Sequence, residues 1–493
     1  MNQTAAIIGG GVIGGGWAAR FLLNGWNVQV FDPDPEAERK IGEVLDNARR
    51  SLPGLNDAPM PVEGRLSFHS DMGEAVQDAI WIQESVPEQL ELKRKVYKAL
   101  QEACNPDAVI GSSTSGFKPS ELQEGAMRPG QILVTHPFNP VYLLPLIEVV
   151  PAAPNSAVFV EKTKDMLTSL GFFPLHVRKE IDAHIADRFL EAVWREALWL
   201  VRDGVATTTE IDEAIRMGFG IRWAQMGLFE TYRVAGGEAG MRHFMAQFGP
   251  ALKWPWTKLM DVPDFTDELV DMIADQSDAQ SGIHSIRELE RIRDDNLVGM
   301  MRALKAQNWG AGALLNVQDE RLKSGTDLGR SLADLPDLSQ PILTLDKAVP
   351  LDWTDYNGHM TESRYLDAFA RATDRFMELI ECDSDYIADP NGGSYFTAET
   401  HIRHLDEVHA GTRIRVTSQL LLGKGKKLHL FHRMFAGDRP LATGEHFLLH
   451  VNLATRKPSA PAPAIEAALA ILSDAHATLP WPEGAGASIR KPA

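Results

Sequence analysis

The spacing of hydrophobic residues changes twice along the chain and divides it into three parts. In the first part, short apolar or alternating runs, which are typical of strands, are separated by polar helix-like stretches such as residues 88–103. The strand-like runs cover residues 5–8, 26–32, 79–84, 108–112, 132–136 and 146–150. Strands that alternate with helices predict a doubly wound α/β domain built on a parallel sheet.

From about residue 181 the strand signal stops. Helical periodicity dominates instead, in stretches such as 187–202 and 283–305. This pattern predicts an all-helical second domain. The stretch that follows, 316–341, is polar and contains glycine and proline, so we predict a linker there.

Alternation returns in the last part of the chain. One helical stretch, 362–381, is followed by three alternating runs, at residues 413–422, 427–435 and 444–452. This mixture predicts a small α+β domain over residues 342–456. Residues 457–493 are rich in proline and alanine, and we predict a partly loose tail for them.

Charge and cysteine content narrow the range of partners. The 493-residue chain has a formal net charge of -18, which argues against nucleic acid and anionic membranes as partners. Its two cysteines, Cys104 and Cys382, cannot form a disulfide framework or a cysteine-rich zinc site, and no metal site is predicted. The N-terminus does not read as a signal peptide, and no apolar run is long enough to span a bilayer. We therefore expect a cytoplasmic protein that acts on a small molecule.

A glycine-rich turn follows the first strand and opens a helix. The turn satisfies the GxGxxG pattern with Gly9-Gly10-Gly11-Val12-Ile13-Gly14. The glycines of this pattern allow a tight turn, close approach of the backbone to a pyrophosphate and close helix packing. Asp32 ends the next strand, where its carboxylate would bind ribose hydroxyls and repel a 2′-phosphate. A purely structural turn is the alternative, but this context favours a Rossmann domain over residues 1–180 that binds NAD.

Polar side chains suited to alcohol oxidation follow the later strands, and ligand sites of α/β sheets form at such strand ends. Histidine can take a hydroxyl proton, and a carboxylate on its other ring nitrogen would orient it. We predict that His136 is the base and Glu148 its partner. Ser115 would bind the reacting oxygen, and Asn139 would place the nicotinamide or the substrate. From spacing alone, a loop histidine without a catalytic role is an equal alternative.

Residues 5–310 resemble the 3-hydroxyacyl-CoA dehydrogenase family. The resemblance rests on the glycine loop, Glu84-Ser85-Val86-Pro87-Glu88 with Glu91-Leu92-Lys93, Ser113-Thr114-Ser115, and His136-Pro137-Phe138-Asn139-Pro140 with Glu148. It implies that His136 and Glu148 form the catalytic dyad and that Ser115 contacts the substrate oxygen. It also implies that Glu88 and Lys93 lie near the cofactor, and that a helical domain over residues 181–315 forms a homodimer.

The start of the helical domain departs from this family. The family has asparagine before arginine there, whereas this chain has Asp187 before Arg188. A carboxylate at this position would attract a cationic substrate, although an acid on the helix surface is the alternative. The stretch 218–227 resembles the carnitine dehydrogenase branch and its lambda-crystallin-like relatives, and carnitine is a 3-hydroxy acid with a quaternary ammonium group. Arg222 is therefore a candidate for binding the substrate carboxylate, with pairing inside the helices as its alternative.

Aromatic faces bind quaternary ammonium ions. The helical domain is rich in aromatic residues, namely Trp194, Trp199, Trp223, Phe229, Tyr232, Trp254 and Trp256. We include Trp223, which lies in the carnitine dehydrogenase-like stretch, in the predicted substrate site. For any single one of these residues, packing in a core or a dimer interface is the alternative.

Residues 343–455 resemble the hotdog thioesterases of the 4-hydroxybenzoyl-CoA type. Those enzymes place an acid in an Asp-x-x-Gly turn before the central helix, and the matching residue here is Asp355. The resemblance implies that Asp355 attacks a thioester carbonyl or activates water, while amides at the helix N-terminus hold the oxyanion. His359 and Tyr365 have no firm role. A degraded or oligomerising hotdog domain is the alternative.

The fusion of these two parts resembles bacterial L-carnitine dehydrogenases that carry a betainyl-CoA thioesterase domain. It implies NAD-dependent oxidation of L-carnitine to 3-dehydrocarnitine and hydrolysis of an acyl-CoA thioester by the C-terminal domain. Two alternatives remain at this point. One is a 3-hydroxyacyl-CoA or gulonate-type dehydrogenase, and the other is a crystallin-like structural protein that binds NAD.

Overall fold

The chain folds into two compact units. In this computed structural model, the described residues are 3–487 without 236–237, 239, 250–255, 259–263, 265, 324–327 and 330. The first unit comprises Met1–Ala48 and Val62–Asn316, and the second comprises Arg49–Pro61 and Val317–Ala493. The second unit therefore includes an early segment, Arg49–Pro61, that no pattern in the sequence predicted.

The first unit is built on one eight-stranded sheet. Its strands are β1 (Thr4–Ile8), β2 (Asn27–Phe31), β3 (Leu66–His69), β4 (Trp81–Glu84), β5 (Val109–Ser112), β6 (Ile132–Pro137), β7 (Leu146–Val150) and β8 (Phe173–His176). They lie in the order β3-β2-β1-β4-β5-β6-β7-β8. This arrangement confirms the predicted Rossmann domain. The two strands that the sequence analysis missed, β3 and β8, are the partly exposed edges, so their hydrophobic pattern is weak.

One strand pair contradicts the predicted parallel sheet. Strands β6 and β7 run antiparallel, whereas every other neighbouring pair runs parallel. The connection between them, residues 138–145, is shorter than the roughly dozen residues that a parallel crossover requires. The antiparallel register places His136 directly opposite Glu148.

Helices connect these strands and then dominate the chain up to the second unit. They are α1 (Val12–Leu23), α2 (Ala37–Ser51), α3 (Met72–Val76), α4 (Leu90–Ala103), α5 (Pro119–Leu122), α6 (Ala157–Ser169), α7 (Ala186–Arg202), α8 (Thr208–Ala214), α9 (Gly220–Ala235), α10 (Gly240–Phe248), α11 (Asp267–Ser281), α12 (Ile286–Ala306) and α13 (Ala311–Lys323). A π-helical stretch, Ile215–Phe219, joins α8 to α9. The described residues between β8 and the second unit contain no strand, which confirms the predicted helical domain.

The second unit packs a long helix against an antiparallel sheet. Its strands are β9 (Ile342–Ala348), β10 (Gly393–His404), β11 (Arg413–Lys424), β12 (Lys427–Ala436), β13 (Arg439–Asn452) and β14 (Lys457–Pro458), and its helices are α14 (Glu362–Leu379), α15 (Ser384–Ala388) and α16 (Pro463–His476). The sheet order is β10-β13-β12-β11-β9, with β14 beside β13. Phe369 and Phe376 of α14 are fully buried in the core. This architecture confirms the predicted α+β domain.

Two predictions about the flanks of this unit are wrong. The stretch predicted as a linker contains the end of α13, and its leucines Leu332, Leu335 and Leu338 pack against the core of the second unit. The predicted loose tail contains α16, whose Ile465 and Leu469 are buried in the same core. The proline and alanine content concealed apolar residues at helical spacing. Among the described residues, no helix combines the length and apolarity needed to cross a membrane.

Candidate active sites

The glycine loop between β1 and α1 has the shape of a dinucleotide cradle. Gly9 has a φ of 100°, and a Cβ there would lie 2.6 Å from the Ser85 carbonyl oxygen. A Cβ on Gly14 would lie 1.8 Å from the Gly9 oxygen, so both positions require glycine. A Cβ on Gly11 would meet no atom within 4 Å, which leaves open space where a phosphate would approach.

Asp32 lies immediately beside this loop. Its Oδ2 accepts a hydrogen bond from Gly10 N at 2.5 Å, and its Oδ1 accepts one from Asp34 N at 2.7 Å. The partly exposed carboxylate keeps lone pairs for ribose hydroxyls. Val12 and Ile13 open α1, whose N-terminal amides face the loop. These residues fit a dinucleotide.

The predicted cofactor residues Glu88 and Lys93 lie in one polar network, in which Lys93 and Glu84 are buried and Glu88 is exposed. Lys93 is only 1% exposed, and its Nζ lies 2.7 Å from Glu84 and 3.2 Å from Glu88. Burial raises the pKa of Glu88, but a hydrogen bond from Thr114 and the charge of Lys93 outweigh it and hold that pKa below its usual value. Glu88 also accepts from Gly116 N at 3.2 Å. Lys93 thus holds Glu88 in place, and Glu88 in turn binds the 114–116 loop.

His136 and Glu148 form a buried pair across the antiparallel strands. His136 Nδ1 lies 3.0 Å from Glu148 Oε2, and Glu148 Oε1 accepts from the amides of Ile185 and Ala186 at 2.8 and 2.9 Å. Burial raises the pKa of Glu148, but these hydrogen bonds outweigh it and hold the pKa below its usual value. An ionised Glu148 fixes the ring proton on Nδ1, so Nε2 keeps its lone pair. Nε2 lies 3.2 Å from Ser115 Oγ.

The structure thus brings Ser115, His136 and Glu148 together in the order that the sequence analysis predicted. Asn139 is exposed in the loop after β6, close in sequence to His136. Asp187 stands in the first turn of α7, directly after the two amides that bind Glu148. Burial raises the pKa of Asp187, and the charge of His136 opposes that rise.

A second histidine, His184, is part of this site and was missed from the sequence. It is fully buried, its ring centroid lies 5.5 Å from that of His136, and its Nε2 lies 3.2 Å from the Thr114 oxygen. Its buried Nδ1 has no hydrogen-bond partner among the described residues. Ala183 and His184 both have positive φ, of 57° and 51°. Non-glycine residues rarely adopt this conformation, so the sequence carried no signal for it.

Among the described residues, no contact connects the other predicted substrate residues to His136 or Glu148. Trp223 packs against Phe219 at a ring-centroid distance of 4.6 Å, and Arg222 is exposed on α9. Trp199 lies between Arg202 and Lys258, whose cationic groups are 3.8 and 3.9 Å from its ring. Trp254 lies outside the described residues. The structure therefore gives no described aromatic cage around Asp187.

In the second unit, Asp355 lies in a tight turn just before α14. Its Oδ1 accepts from Asn357 N at 2.8 Å and from His359 N at 3.3 Å. Asp355 N donates to the His359 oxygen at 2.9 Å, and Gly358 closes the turn with a φ of 79°. No described residue bonds the second oxygen of Asp355, which is therefore available to a substrate or to water.

Comparison with known families agrees with this division of the chain. Residues 4–181 match the NAD binding domain of 3-hydroxyacyl-CoA dehydrogenase, and residues 184–265 match the C-terminal domain of the same enzyme. Residues 349–469 match the thioesterase-like superfamily. The three matches follow the α/β, helical and α+β parts in order.

Two full-length relatives and one solved structure are similar to this chain. An L-carnitine dehydrogenase/betainyl-CoA thioesterase of Ruegeria pomeroyi is 77% identical over 99% of this chain and 100% of its own length. One from Agrobacterium fabrum is 54% identical over 98% of each chain. The solved 5-formyl-3-hydroxy-2-methylpyridine 4-carboxylic acid 5-dehydrogenase, described as an NAD+-dependent dismutase, is 26% identical, covers 62% of this chain and 99% of its own, and gives a TM-score of 0.53.

Proposed function

Because this chain belongs to the family of the L-carnitine dehydrogenase/betainyl-CoA thioesterases, we propose that it oxidises L-carnitine to 3-dehydrocarnitine and hydrolyses betainyl-CoA. The observation that carries the first activity is the buried His136–Glu148 pair with Ser115 at the free ring nitrogen. A crystallin-like binding protein would not need this arrangement. The second activity is supported by the turn that holds Asp355.

NAD is the cofactor of the first unit. When bound, it accepts a hydride from the carbon that carries the hydroxyl group. We propose that the amides of the 9–14 loop and of the start of α1 hold its pyrophosphate, and that Asp32 holds the adenosine ribose. Glu88 orients the cofactor near Ser115. The buried Lys93 acts indirectly, by holding Glu88 in place.

His136 takes the proton of the substrate hydroxyl at Nε2 while the carbon is oxidised. The ring becomes an imidazolium, and the buried carboxylate of Glu148 stabilises that charge at a distance of 3.0 Å. Ser115, 3.2 Å from Nε2, hydrogen-bonds the reacting oxygen and fixes its position relative to the base. The amides of Ile185 and Ala186 keep Glu148 ionised and oriented.

We propose that Asp187 provides the charge that favours a cationic substrate. It follows directly the two amides that bind Glu148, in the first turn of α7. Arg222 is proposed for the substrate carboxylate, and Trp223 for the trimethylammonium group. Asn139 is proposed to place the substrate or the nicotinamide beside His136.

In the second unit, Asp355 attacks the thioester carbonyl or activates the water that does so. Its free oxygen and the fixed turn support this role. The backbone N–H groups at the start of α14 are proposed to bind the developing oxyanion. We also propose a homodimer formed through the helical part, in which Phe189 and Trp194 of α7 are exposed apolar residues, and a cytoplasmic location.

The decisive experiment is NADH production by the purified protein. L-carnitine is compared with D-carnitine, 3-hydroxybutyrate, gulonate and 3-hydroxybutyryl-CoA, and His136→Ala serves as the inactive control. Turnover of L-carnitine alone, lowered at least about a hundredfold in the control, is the expected result. Turnover of a CoA thioester or gulonate instead would contradict the proposed substrate, and no turnover at all would favour a binding protein. Thiol release from betainyl-CoA tests the second activity separately.

A further inference from the structure

Three potential metal ligands lie together in the second unit, outside the residues with a role above. His359, Glu407 and His409 each offer one ligand atom, and these three atoms lie within 4.8 Å of one another. His359 Nδ1 is 3.2 Å from Glu407 Oε2, and the ring centroids of the two histidines are 4.5 Å apart. Across the part of the chain that the structure describes, no other three histidine, cysteine or acidic side chains are grouped in this way.

Paired backbone brings these side chains together. His359 precedes α14 and His409 follows β10, and the two residues form an antiparallel bridge. Beside the bridge, Met360 N donates to the Val408 oxygen at 2.8 Å. Because the main chain already fixes the separation of the two histidines, little backbone conformational entropy remains to be lost when both bind one ion.

A second observation shows that one of the histidines is prepared as a ligand. His409 Nδ1 lies 3.1 Å from the Gly358 oxygen. A carbonyl oxygen can only accept, so Nδ1 carries the hydrogen, and in the neutral ring Nε2 keeps its lone pair. Histidines that bind metals usually donate their other ring N–H to a carbonyl or carboxylate in this way.

We propose that His359, Glu407 and His409 bind one divalent transition-metal ion, with Zn²⁺ as the best-suited ion. Two imidazoles and one carboxylate suit such ions, and three protein ligands leave at least one position for water. Zinc–ligand distances of about 2 Å require the ligand atoms to approach one another somewhat further. Glu407 and His409 are exposed, so a change of rotamer can achieve this.

The ion would also fix the turn that holds Asp355. Asp355 N donates to the His359 oxygen, and Asp355 Oδ1 accepts from His359 N, so a metal bond to His359 anchors both ends of that turn. Metal binding itself does not depend on a catalytic role for Asp355. The site can therefore be tested without any thioester substrate.

The test is isothermal titration of the untagged, full-length protein with ZnCl₂. One equivalent is expected to bind, and His409→Ala and Glu407→Gln should each weaken binding at least about tenfold. His429→Ala is the matched control, because His429 also pairs with a glutamate, Glu445, at 2.8 Å but belongs to no group of three ligands. This variant should bind Zn²⁺ like the wild type.

Cobalt provides an independent measurement. Co²⁺ bound by these side chains should give visible absorption bands that disappear in His409→Ala, while circular dichroism confirms that the variant is folded. Absence of saturable Zn²⁺ binding, or equal affinity in the wild type and both variants, would overturn the proposal. Carnitine oxidation in the first unit should not change in any of these variants, so failure of the metal site is distinguishable from failure of the proposed dehydrogenase.

Discussion

Replacing Glu148 by glutamine is the most direct test of how the dyad works. The fully buried carboxylate accepts from His136 Nδ1 through Oε2 and from two amides through Oε1. Glutamine keeps an oxygen for the amides but turns an NH₂ group toward His136. The ring must then accept at Nδ1 and carry its proton on Nε2. That tautomer cannot take a proton from the substrate hydroxyl.

The size of the effect follows from the geometry. With the imidazolium and carboxylate charges centred about 4 Å apart and an effective dielectric constant of roughly 20, their attraction is about 4 kcal/mol. Loss of this stabilisation lowers the rate about a thousandfold. The wrong tautomer adds to the loss, so we expect kcat to fall by ~10³–10⁴.

The assay is NADH formation from L-carnitine at saturating NAD, together with NADH binding measured by fluorescence. NADH affinity should not change, because Glu148 lies outside the glycine loop and the Asp32 region. Glu161→Gln on α6 is the matched control, since Glu161 is exposed and its one ion-pair partner among the described residues is Lys164. A fall in kcat of less than tenfold for Glu148→Gln, in a folded variant, would refute the assigned proton acceptor.

Three further predictions concern the other site residues. Asp187→Asn should raise KM for L-carnitine more than tenfold, because it removes an attractive charge. In the wild type, burial raises the pKa of Asp187 above its usual value. Carnitine affinity should therefore be full above that pKa and be lost as the pH falls through it. His184→Phe should lower kcat, measured by NADH formation, about tenfold. This is the effect of losing one hydrogen bond, the one from His184 to the Thr114 oxygen. Asp355→Asn should abolish thiol release from betainyl-CoA and leave carnitine oxidation unchanged.

Each of these has an outcome that contradicts it. An unchanged KM for carnitine in Asp187→Asn, or an equal loss for an uncharged hydroxy acid, would remove Asp187 from substrate recognition. Full activity in His184→Phe would mean that the hydrogen bond from His184 to the Thr114 oxygen does not contribute to the rate. Thioester hydrolysis at the wild-type rate in Asp355→Asn would mean that another residue of the second unit is the nucleophile or base.

The sequence was most informative where the structure is regular and buried. The interior strands carry short apolar or alternating runs, and the glycine loop has steric requirements that leave a pattern in the sequence. The residues of the dyad could be named, but their meeting depends on the antiparallel register of β6 and β7, which alternation alone does not reveal.

Other features left little or no trace in the sequence. The edge strands β3 and β8 are too exposed to show a clear hydrophobic pattern. His184 owes its place to a left-handed backbone at two non-glycine residues, which no residue preference predicts. Helix α16 was hidden in a segment whose composition resembles a loose tail.

The membership of Arg49–Pro61 in the second unit affects how the protein is made. The ribosome delivers this segment early, yet the residues of the second unit that it joins, from Val317 onward, are synthesised last. Its Asp57, for example, pairs with the fully buried Lys347. During most of translation, the segment therefore cannot yet contact the residues from Val317 onward. A cut in the gene near residue 316 would separate Arg49–Pro61 from the rest of the second unit, although the segment lies within the match to the dehydrogenase NAD binding domain.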